Sequence, residues 1–215
     1  MKRMLFLAIA AILAAMARAE ETDAAIPPGS PISPGDPAWS ELSAGLLQRT
    51  AVAADFTESR FFSFKKTPTI LQGEVRVSAE HGLSLHYVQP EDHTVIIDER
   101  GVLLRSAKGD SIPPAEPDAG AGNDALLHAL RLDLGPLAKT FGLFGSRTGA
   151  VWTLVLVPRA ADLRRTLGRI TVGGEGAAVR RIELRRSATQ RVEISVQPPH
   201  PAAPFTAEEL RRYFR

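Results

Sequence analysis

The sequence predicts an α+β fold in which a curled antiparallel sheet forms an incomplete, half-open β-barrel covered by short α-helices. Nine segments of alternating apolar and polar residues, separated by short turn signals, are typical of antiparallel strands. A stripe of Leu and Phe residues at spacings of three and four interrupts these segments and predicts helices. The sheet is therefore expected to hold the apolar core, with the helices lying over it.

The first nineteen residues resemble a secretory signal peptide. Lys2 and Arg3 precede an apolar run over residues 4–17, and Ala17-Arg18-Ala19 fits a small-x-small cleavage site. The run is shorter than the roughly 20 residues that a membrane-spanning helix needs. The chain has no Cys, which excludes disulfides and a cysteine-linked lipid anchor. We therefore expect a cleaved signal peptide over residues 1–19 and a soluble protein in a bacterial periplasm.

Two further segments follow the predicted signal peptide. Residues 20–38 are rich in Pro and Gly and predict a flexible N-terminal segment, since they bury too little apolar surface to order. Residues 39–215 are expected to form a single domain, which begins with an amphipathic helix over residues 39–54.

Residues 55–107 are predicted to be a meander of antiparallel strands, because the breaks between segments are too short for parallel crossovers. The breaks are His81-Gly82, residues 89–92 and residues 99–101. A mobile loop rich in Pro and Gly is expected over residues 108–123. The five predicted strands cover residues 56–64, 70–78, 83–87, 94–97 and 102–105.

The Leu and Phe stripe over residues 126–144 predicts two short helices, because Gly135-Pro136 interrupts it. Four more strands are expected over residues 151–158, 169–172, 179–185 and 191–196, followed by a helical turn or two over residues 205–214. The segment over residues 152–157 is apolar on both faces, so this strand is expected to be covered on both sides.

Charge argues against a nucleic-acid binder. After residue 19 the chain has 23 bases and 24 acids, a net charge of 23 − 24 = −1, which gives no surplus for binding polyanions. The charge is uneven: residues 20–130 carry 8 − 17 = −9, and residues 131–215 carry 15 − 7 = +8. This polarity suits docking to an oppositely charged partner or an anionic membrane surface.

Catalytic and metal-binding patterns are absent from the sequence, and no cofactor is predicted. It lacks a nucleophile elbow, a phosphate-binding loop and a zinc-binding His-Glu-x-x-His helix. His86 and His93 are predicted to face each other across a hairpin as an ordinary cross-strand pair. Ser146, His128 and Asp124 are the only candidates for a hydrolase triad, and Ser146 is better interpreted as a turn residue.

The apolar surplus points to one continuous face. The residues either form a packed core and no more, or they enclose an apolar cavity between the concave sheet and a movable helical cover. Arg180 shares the parity of Ile182 and Leu184, so it is the candidate for a lipid headgroup or for the cavity rim. The candidate lipid-binding residues are Leu85, Leu154, Leu156, Ile170, Val172, Ile182, Leu184, Val192 and Ile194 on the sheet, with Leu130, Leu134, Leu137, Phe141 and Phe144 on the cover.

Several short motifs, in this order and spacing, resemble the periplasmic outer-membrane lipoprotein carrier family, the LolA-like proteins. The segment 54–58 resembles the family's Phe-x-Gln strand start, with Glu58 in place of Gln, and the segment 73–77 resembles its Gly-x-Leu strand. Gln89-Pro90 matches its Gln-Pro turn, residues 98–101 match its Asp-Gly-type hairpin, and residues 152–158 match its Leu-x-Pro strand end.

The resemblance implies a carrier without catalytic activity that holds the acyl chains of a lipoprotein or other lipid and shuttles it toward the outer membrane. Implied partners are the acylated cargo and the inner- and outer-membrane transfer proteins, and the carrier is expected to be a monomer. Ala79-Glu80 replaces the family's Arg-Pro step, so the chain is a divergent member whose cargo is open. The alternative is a protein-interaction or sensor module of the same fold with a filled core.

Overall fold

The structure is a computed structural model that describes residues 29–47, 51–113, 119–201 and 203–215. The predicted signal peptide, residues 20–28 of the predicted flexible segment, and residues 114–118 of the predicted mobile loop lie outside the described residues. From Gly29 onwards the Pro-rich segment differs from the expectation, because Ser30 and Pro31 pair with a strand of the sheet.

The described residues form one antiparallel sheet of twelve strands. The strand order is β1-β8-β9-β10-β11-β12-β2-β3-β4-β5-β6-β7, with neighbours in that order hydrogen-bonded. The strands are β1 (Ser30–Pro31), β2 (Ala51–Phe61), β3 (Thr69–Ser78), β4 (Gly82–Gln89), β5 (His93–Asp98), β6 (Gly101–Ser106), β7 (Gly109–Ser111), β8 (Phe141–Thr148), β9 (Val151–Pro158), β10 (Arg169–Glu175), β11 (Ala178–Arg185) and β12 (Arg191–Val196).

This sheet confirms the predicted fold class. Its two outermost strands, β1 and β7, are not paired with each other in the described residues, so the barrel is incomplete. Strands β2 to β6 form the predicted meander, each paired with the next along the chain. The mobile loop predicted over residues 108–123 is wrong at both ends, because β7 pairs with β6 and α2 begins at Ala119. Strand β12 pairs with β2, and this pairing joins the N-terminal and C-terminal halves of the chain into one sheet.

Five short helices accompany the sheet. Their bounds are α1 (Pro37–Leu47), α2 (Ala119–Arg131), α3 (Leu134–Thr140), α4 (Ala161–Leu167) and α5 (Ala207–Tyr213). Helix α1 packs against the sheet through Trp39, whose ring lies edge-on to Trp152 with centroids 6.4 Å apart. Gly145 on β8 makes room for it, since a Cβ at Gly145 would lie 2.2 Å from the Trp39 ring.

Two sequence expectations about helices are wrong. The helix predicted over residues 39–54 ends at Leu47, and β2 begins at Ala51, because Val52, Ala54 and Phe56 alternate onto the concave face of the sheet. Phe141 and Phe144, predicted on a helical cover, lie on β8. Phe141 and Leu143 face the core with the period of two that a strand has, and Phe144 lies on the other face. The segment is a strand because it pairs with β9.

The break between the two central helices also differs in position. Two helices are present as predicted, but the chain turns at Leu132, which adopts a left-handed φ of 48°. Gly135 and Pro136 lie in the first turn of α3. A proline is tolerated there, because the first N–H groups of a helix have no intrahelical acceptor.

The convex face of β3–β6 is covered by the C-terminal segment, which begins at α5. The capping box of α5 joins Thr206 and Glu209 in both directions. The guanidinium of Arg76 on β3 stacks 3.5 Å from the centre of the Tyr213 ring, and His86 on β4 lies beside the same ring. A second layer therefore shields the face opposite the core.

Two arginines fasten this segment to the sheet. Arg105 on β6 donates from Nη1 to the carbonyl oxygens of Arg211, Arg212 and Phe214, at 3.1, 2.8 and 3.0 Å. Arg215 donates from Nε and Nη2 to the two carboxylate oxygens of Asp98, at 2.8 and 2.7 Å. These hydrogen bonds hold the pKa of Asp98 down, at about 2.

The Asp98–Arg215 pair predicts acid-sensitive stability. The lowered pKa of Asp98 in the folded state stabilises the fold above pH 4, and this contribution is lost as the pH falls from about 4 to 2. Asp98→Asn should lower the free energy of unfolding at pH 7 by about 2 kcal/mol. Urea unfolding at both ends of this pH range should show the difference from the wild type vanishing in acid. Glu99→Gln, at the exposed neighbouring turn position, is the control and should leave stability unchanged.

Candidate functional site

An apolar cavity of about 130 Å³ lies at the end of the half-barrel where β2 begins and β3 ends. Helices α1 and α2 border it through Leu46, Leu126 and Leu130. Every described residue that lines it is apolar, apart from Arg131 and Gln197. Water finds few hydrogen-bond partners on such walls, whereas an alkyl chain needs none. The cavity therefore suits hydrocarbon.

The structure brings four of the sequence-predicted lipid-binding residues together around this cavity. They are Leu85 on β4, Leu130 on α2, Ile182 on β11 and Ile194 on β12. The cavity is thus shared by strands from both halves of the chain, which the pairing of β12 with β2 brings side by side.

The other ten predicted residues lie away from the cavity. Phe144 is partly buried on the outer face of β8. Leu184 is partly buried and packs against the core, and the remaining eight are buried in it: Leu134, Leu137, Phe141, Leu154, Leu156, Ile170, Val172 and Val192. Around β8, β9 and β10 the concave face is therefore filled by its own side chains.

Arg180, the predicted headgroup residue, does not line the cavity, because a β-bulge changes its position. The register shifts between Gly173 and Gly174, so that Gly174 pairs with Val179 and Gly173 with Arg181. Arg180 is the extra residue of the bulge, and Val179 takes the inward position that parity assigned to Arg180. The Nη1 of Arg180 is buried without a hydrogen-bond partner among the described residues.

Of the 19 described residues that line the cavity, sequence reasoning missed 19 − 4 = 15, and six of them show why. Val52 and Ala54 were assigned to a helix, and Val179 is placed inward by the bulge. Val75, Val77 and Val196 alternate cleanly along their strands, and this alternation is the signal that identifies them in the sequence.

Arg131 closes the rim of the cavity. It is the last residue of α2, and its Nη2 donates to the carbonyl oxygens of Ser78 and Ala79 at 3.0 and 3.1 Å. These carbonyls lie at the turn between β3 and β4, where Ala79 also lines the cavity. An arginine on the covering helix is therefore bonded to the turn between β3 and β4.

The floor of the cavity contains a buried polar cluster. The rings of Phe56 and Tyr87 meet edge to face, with their centroids 5.2 Å apart. They lie two residues after Ala54 and Leu85 on the same strands. The Tyr87 hydroxyl donates to the Glu58 carboxylate at 2.6 Å, and neither side chain is exposed. Burial and the Glu58 charge raise the pKa of Tyr87 well above its ordinary value, so the hydroxyl keeps its proton. Arg60 pairs with the same carboxylate and balances its charge.

The two histidines expected to face each other lie on opposite faces. The register pairs Tyr87 with His93 and His86 with Thr94. His93 stacks on Tyr87 with ring centroids 4.7 Å apart, and burial lowers its pKa. Within the described residues no group of three or more His, Cys, Asp or Glu side chains is placed to hold a metal.

The residues of the candidate hydrolase triad have other surroundings. Ser146 is exposed on β8, and the Nδ1 of His128 on α2 lies 3.3 Å from the carboxylate of Asp133. No helix of the described part of the chain is long and apolar enough to span a bilayer.

Comparison with known proteins places this architecture in a family. The model of the family described as outer membrane lipoprotein carrier protein LolA-like matches residues 40–197. The chain belongs to this LolA-like family. The family's proteins are periplasmic, bind lipids or lipoproteins, and act as binding or carrier proteins. No curated protein sequence is similar enough to this LolA-like chain to count as a relative.

Solved structures resemble the LolA-like chain at low sequence identity. The LolA superfamily protein from Nitrosomonas europaea is 5% identical, with 80% of this chain and 96% of that chain covered and a TM-score of 0.41. A structure of MucB in complex with MucA(peri) is 13% identical, with 80% and 58% covered and a TM-score of 0.44. This chain thus spans 58% of the MucB chain that it matches. LprF from Mycobacterium bovis is 11% identical, with 83% and 97% covered and a TM-score of 0.34.

The buried cluster predicts a cost for removing the Tyr87 hydroxyl. Tyr87→Phe leaves one oxygen of a fully buried carboxylate without its donor, which should lower the free energy of unfolding by about 1–3 kcal/mol. Chemical denaturation measures the change. Tyr213→Phe, at the other tyrosine of the chain, is the control and should change stability by less than about 0.5 kcal/mol. An equal loss in both variants would contradict the importance of the Glu58 contact.

Proposed function

We propose that this protein is a periplasmic carrier that binds acyl chains of a lipoprotein or other lipid in the apolar cavity and shuttles the cargo toward the outer membrane. The observation that carries the proposal is the aliphatic cavity, closed on one side by α2, in a chain of the LolA-like family. The cargo chemistry follows from the lining, which offers burial to hydrocarbon and almost no polar partner.

The size of the cavity limits what it holds when closed. Its volume of about 130 Å³ is similar to that of an engineered apolar cavity of about 150 Å³ that accepts one benzene molecule. A complete acyl chain therefore needs more room, and α2 must move away from the sheet to provide it. The contacts of Arg131 with Ser78 and Ala79 are the polar bonds that this movement breaks.

The proposal has three further parts. Residues 1–19 act as a cleaved signal peptide, and residues 39–215 form one carrier domain. The carrier works as a monomer that receives cargo from inner-membrane proteins and gives it to outer-membrane proteins. Neither a chemical reaction nor a cofactor takes part, because transfer between two hydrophobic sites requires only differences in affinity.

One observation favours a second candidate, a protein-interaction or sensor module of the same fold. The concave face around β8–β10 is filled by its own side chains, and the cavity is small. A module of this kind needs no room for cargo, so it would stay closed and bind its partner on the surface.

Native mass spectrometry of the protein purified from its own periplasm without detergent separates the two candidates. A bound acylated molecule, identified after organic extraction, supports the carrier and gives its cargo class. A clean apo mass, together with no uptake of added lipids, contradicts the carrier and leaves the interaction module.

Filling the cavity should block lipid uptake. Val196 lines the cavity on β12, whereas its neighbour Ser195 is exposed on the outer face. Val196→Trp should therefore weaken the binding of a fluorescent fatty acid about tenfold or more, since the indole occupies the space of the alkyl chain. Ser195→Trp adds the same indole outside and should bind as the wild type does. Equal affinity in the two folded variants would place the lipid elsewhere.

Releasing the rim should speed exchange. Arg131→Met keeps an apolar stem beside the cavity and removes both hydrogen bonds to the β3–β4 turn. Stopped-flow mixing with the same fatty acid should show uptake and release faster by a factor of about 5–10, which corresponds to about 1 kcal/mol of lost hydrogen bonding. Rates that match those of the wild type would show that α2 opens without breaking this contact.

A further inference from the structure

The loop between β2 and β3 exposes a phenylalanine next to two lysines. It covers residues 62–68, at the end of the half-barrel opposite the start of β2. Phe64 is 83% exposed, and Phe62 stacks on it with ring centroids 5.3 Å apart. Lys65 and Lys66 follow directly and are exposed.

A further apolar residue extends this exposed surface. Ile70 lies two residues into β3 on the outer face and is 47% exposed. Phe64 and Ile70 are exposed to water and Phe62 is partly buried, although the same chain buries Phe56 and Phe141 almost completely. Large apolar side chains exposed together on a loop are typical of a surface that binds a membrane or another protein.

A row of arginines crosses the sheet beside the loop. Phe61, at the end of β2, is paired with Arg191 on β12. Arg191 is paired with Arg185 on β11, which is paired with Arg169 on β10. The guanidinium of Arg191 also stacks 3.7 Å from the centre of the Phe61 ring, so the row is directly joined to the loop.

The carboxylates near this row balance only part of its charge. Arg181, Arg185 and Arg191 share Glu183 and Glu193, so together with Arg169 these six side chains carry 4 − 2 = +2. Lys65 and Lys66 raise this to +4. The neighbouring helix α4 and the turn after β11 add three more bases, Arg164, Arg165 and Arg186, against one acid, Asp162. Two acids, Glu91 and Asp92, lie beyond β3 on the turn between β4 and β5.

The geometry points to a docking surface for the anionic headgroups of a lipid bilayer, with the rings of Phe62 and Phe64 inserted at the interface. Aromatic side chains favour the headgroup region of a membrane, and each nearby Lys or Arg is attracted to anionic lipid. An acidic protein would match the charge, but it would not explain why Phe64, stacked on Phe62, is held in water beside the two lysines.

This surface is distinct from the cavity of the proposed function. Val52 lines the cavity, and Phe61 lies nine residues later on the same strand, about 30 Å away at roughly 3.3 Å per residue. Membrane docking and lipid uptake therefore have separate tests: fatty-acid binding in solution without vesicles reports on the cavity alone.

Vesicle sedimentation tests the docking surface with exported protein recovered from the periplasm. Binding is measured to phosphatidylcholine vesicles with and without phosphatidylglycerol. The protein should bind only the anionic vesicles, and Lys65→Glu with Lys66→Glu should weaken this binding about tenfold or more. Arg211→Glu with Arg212→Glu, on the exposed face of α5, changes the net charge equally and should retain most of the binding.

Tryptophan fluorescence tests insertion. Trp39 and Trp152 are buried, so Phe64→Trp adds a single exposed indole whose emission should shift to shorter wavelength on anionic vesicles. Ile112→Trp, which replaces an exposed side chain just beyond β7, is the control and should show no shift.

Three results would overturn the proposal. The first is an absence of binding to phosphatidylglycerol vesicles, and the second is binding that the charge reversal at Lys65 and Lys66 leaves unchanged. The third is charge-dependent binding without a shift for Phe64→Trp, because this would indicate a purely electrostatic surface suited to an acidic protein.

Discussion

The pairing of β12 with β2 is the interaction on which the rest of the structure depends. It joins a sheet of β8–β12 to the meander of β2–β7, and Val196 is paired with Phe56, 196 − 56 = 140 residues apart in the sequence. Without this pairing each half would expose an edge and lose half of the concave face. The cavity needs the same pairing, since Ile194 and Ala54 come from the two halves.

The inside of the half-barrel is not uniformly apolar, because Glu58 lies on its concave face. Glu58 is accommodated because Tyr87 and Arg60 converge on it from the same concave face. This cluster fills the space beneath the cavity and limits its depth. The aliphatic end of the half-barrel, where β2 begins, is left to bind apolar ligands, and the Glu58 cluster forms the floor of the cavity.

The elements that depend on short-range alternation were predictable from the sequence, and those that depend on long-range pairing were not. The meander of β2–β6 followed from period-two patterns and turn signals, and strands β9–β12 did likewise. Strand β8 was missed because Phe141 and Phe144 continue a helical spacing, which pairing with β9 overrides. Arg180 and Val179 exchanged roles through a bulge that no local pattern signals. The candidate cavity was predicted as a face of the sheet, but its limits depend on packing from both ends of the chain.

The 11 residues of β2 separate the cavity from the loop between β2 and β3, and their length fixes the distance between these two sites. From loop to cavity the strand extends about 30 Å, which is close to the hydrocarbon thickness of a bilayer. A molecule resting on its loop with β2 upright would hold the cavity about 30 Å from the point of contact, outside the headgroup layer. Cargo would then pass sideways or outward to another macromolecule, and the bilayer would act as a landing surface rather than as the donor or acceptor.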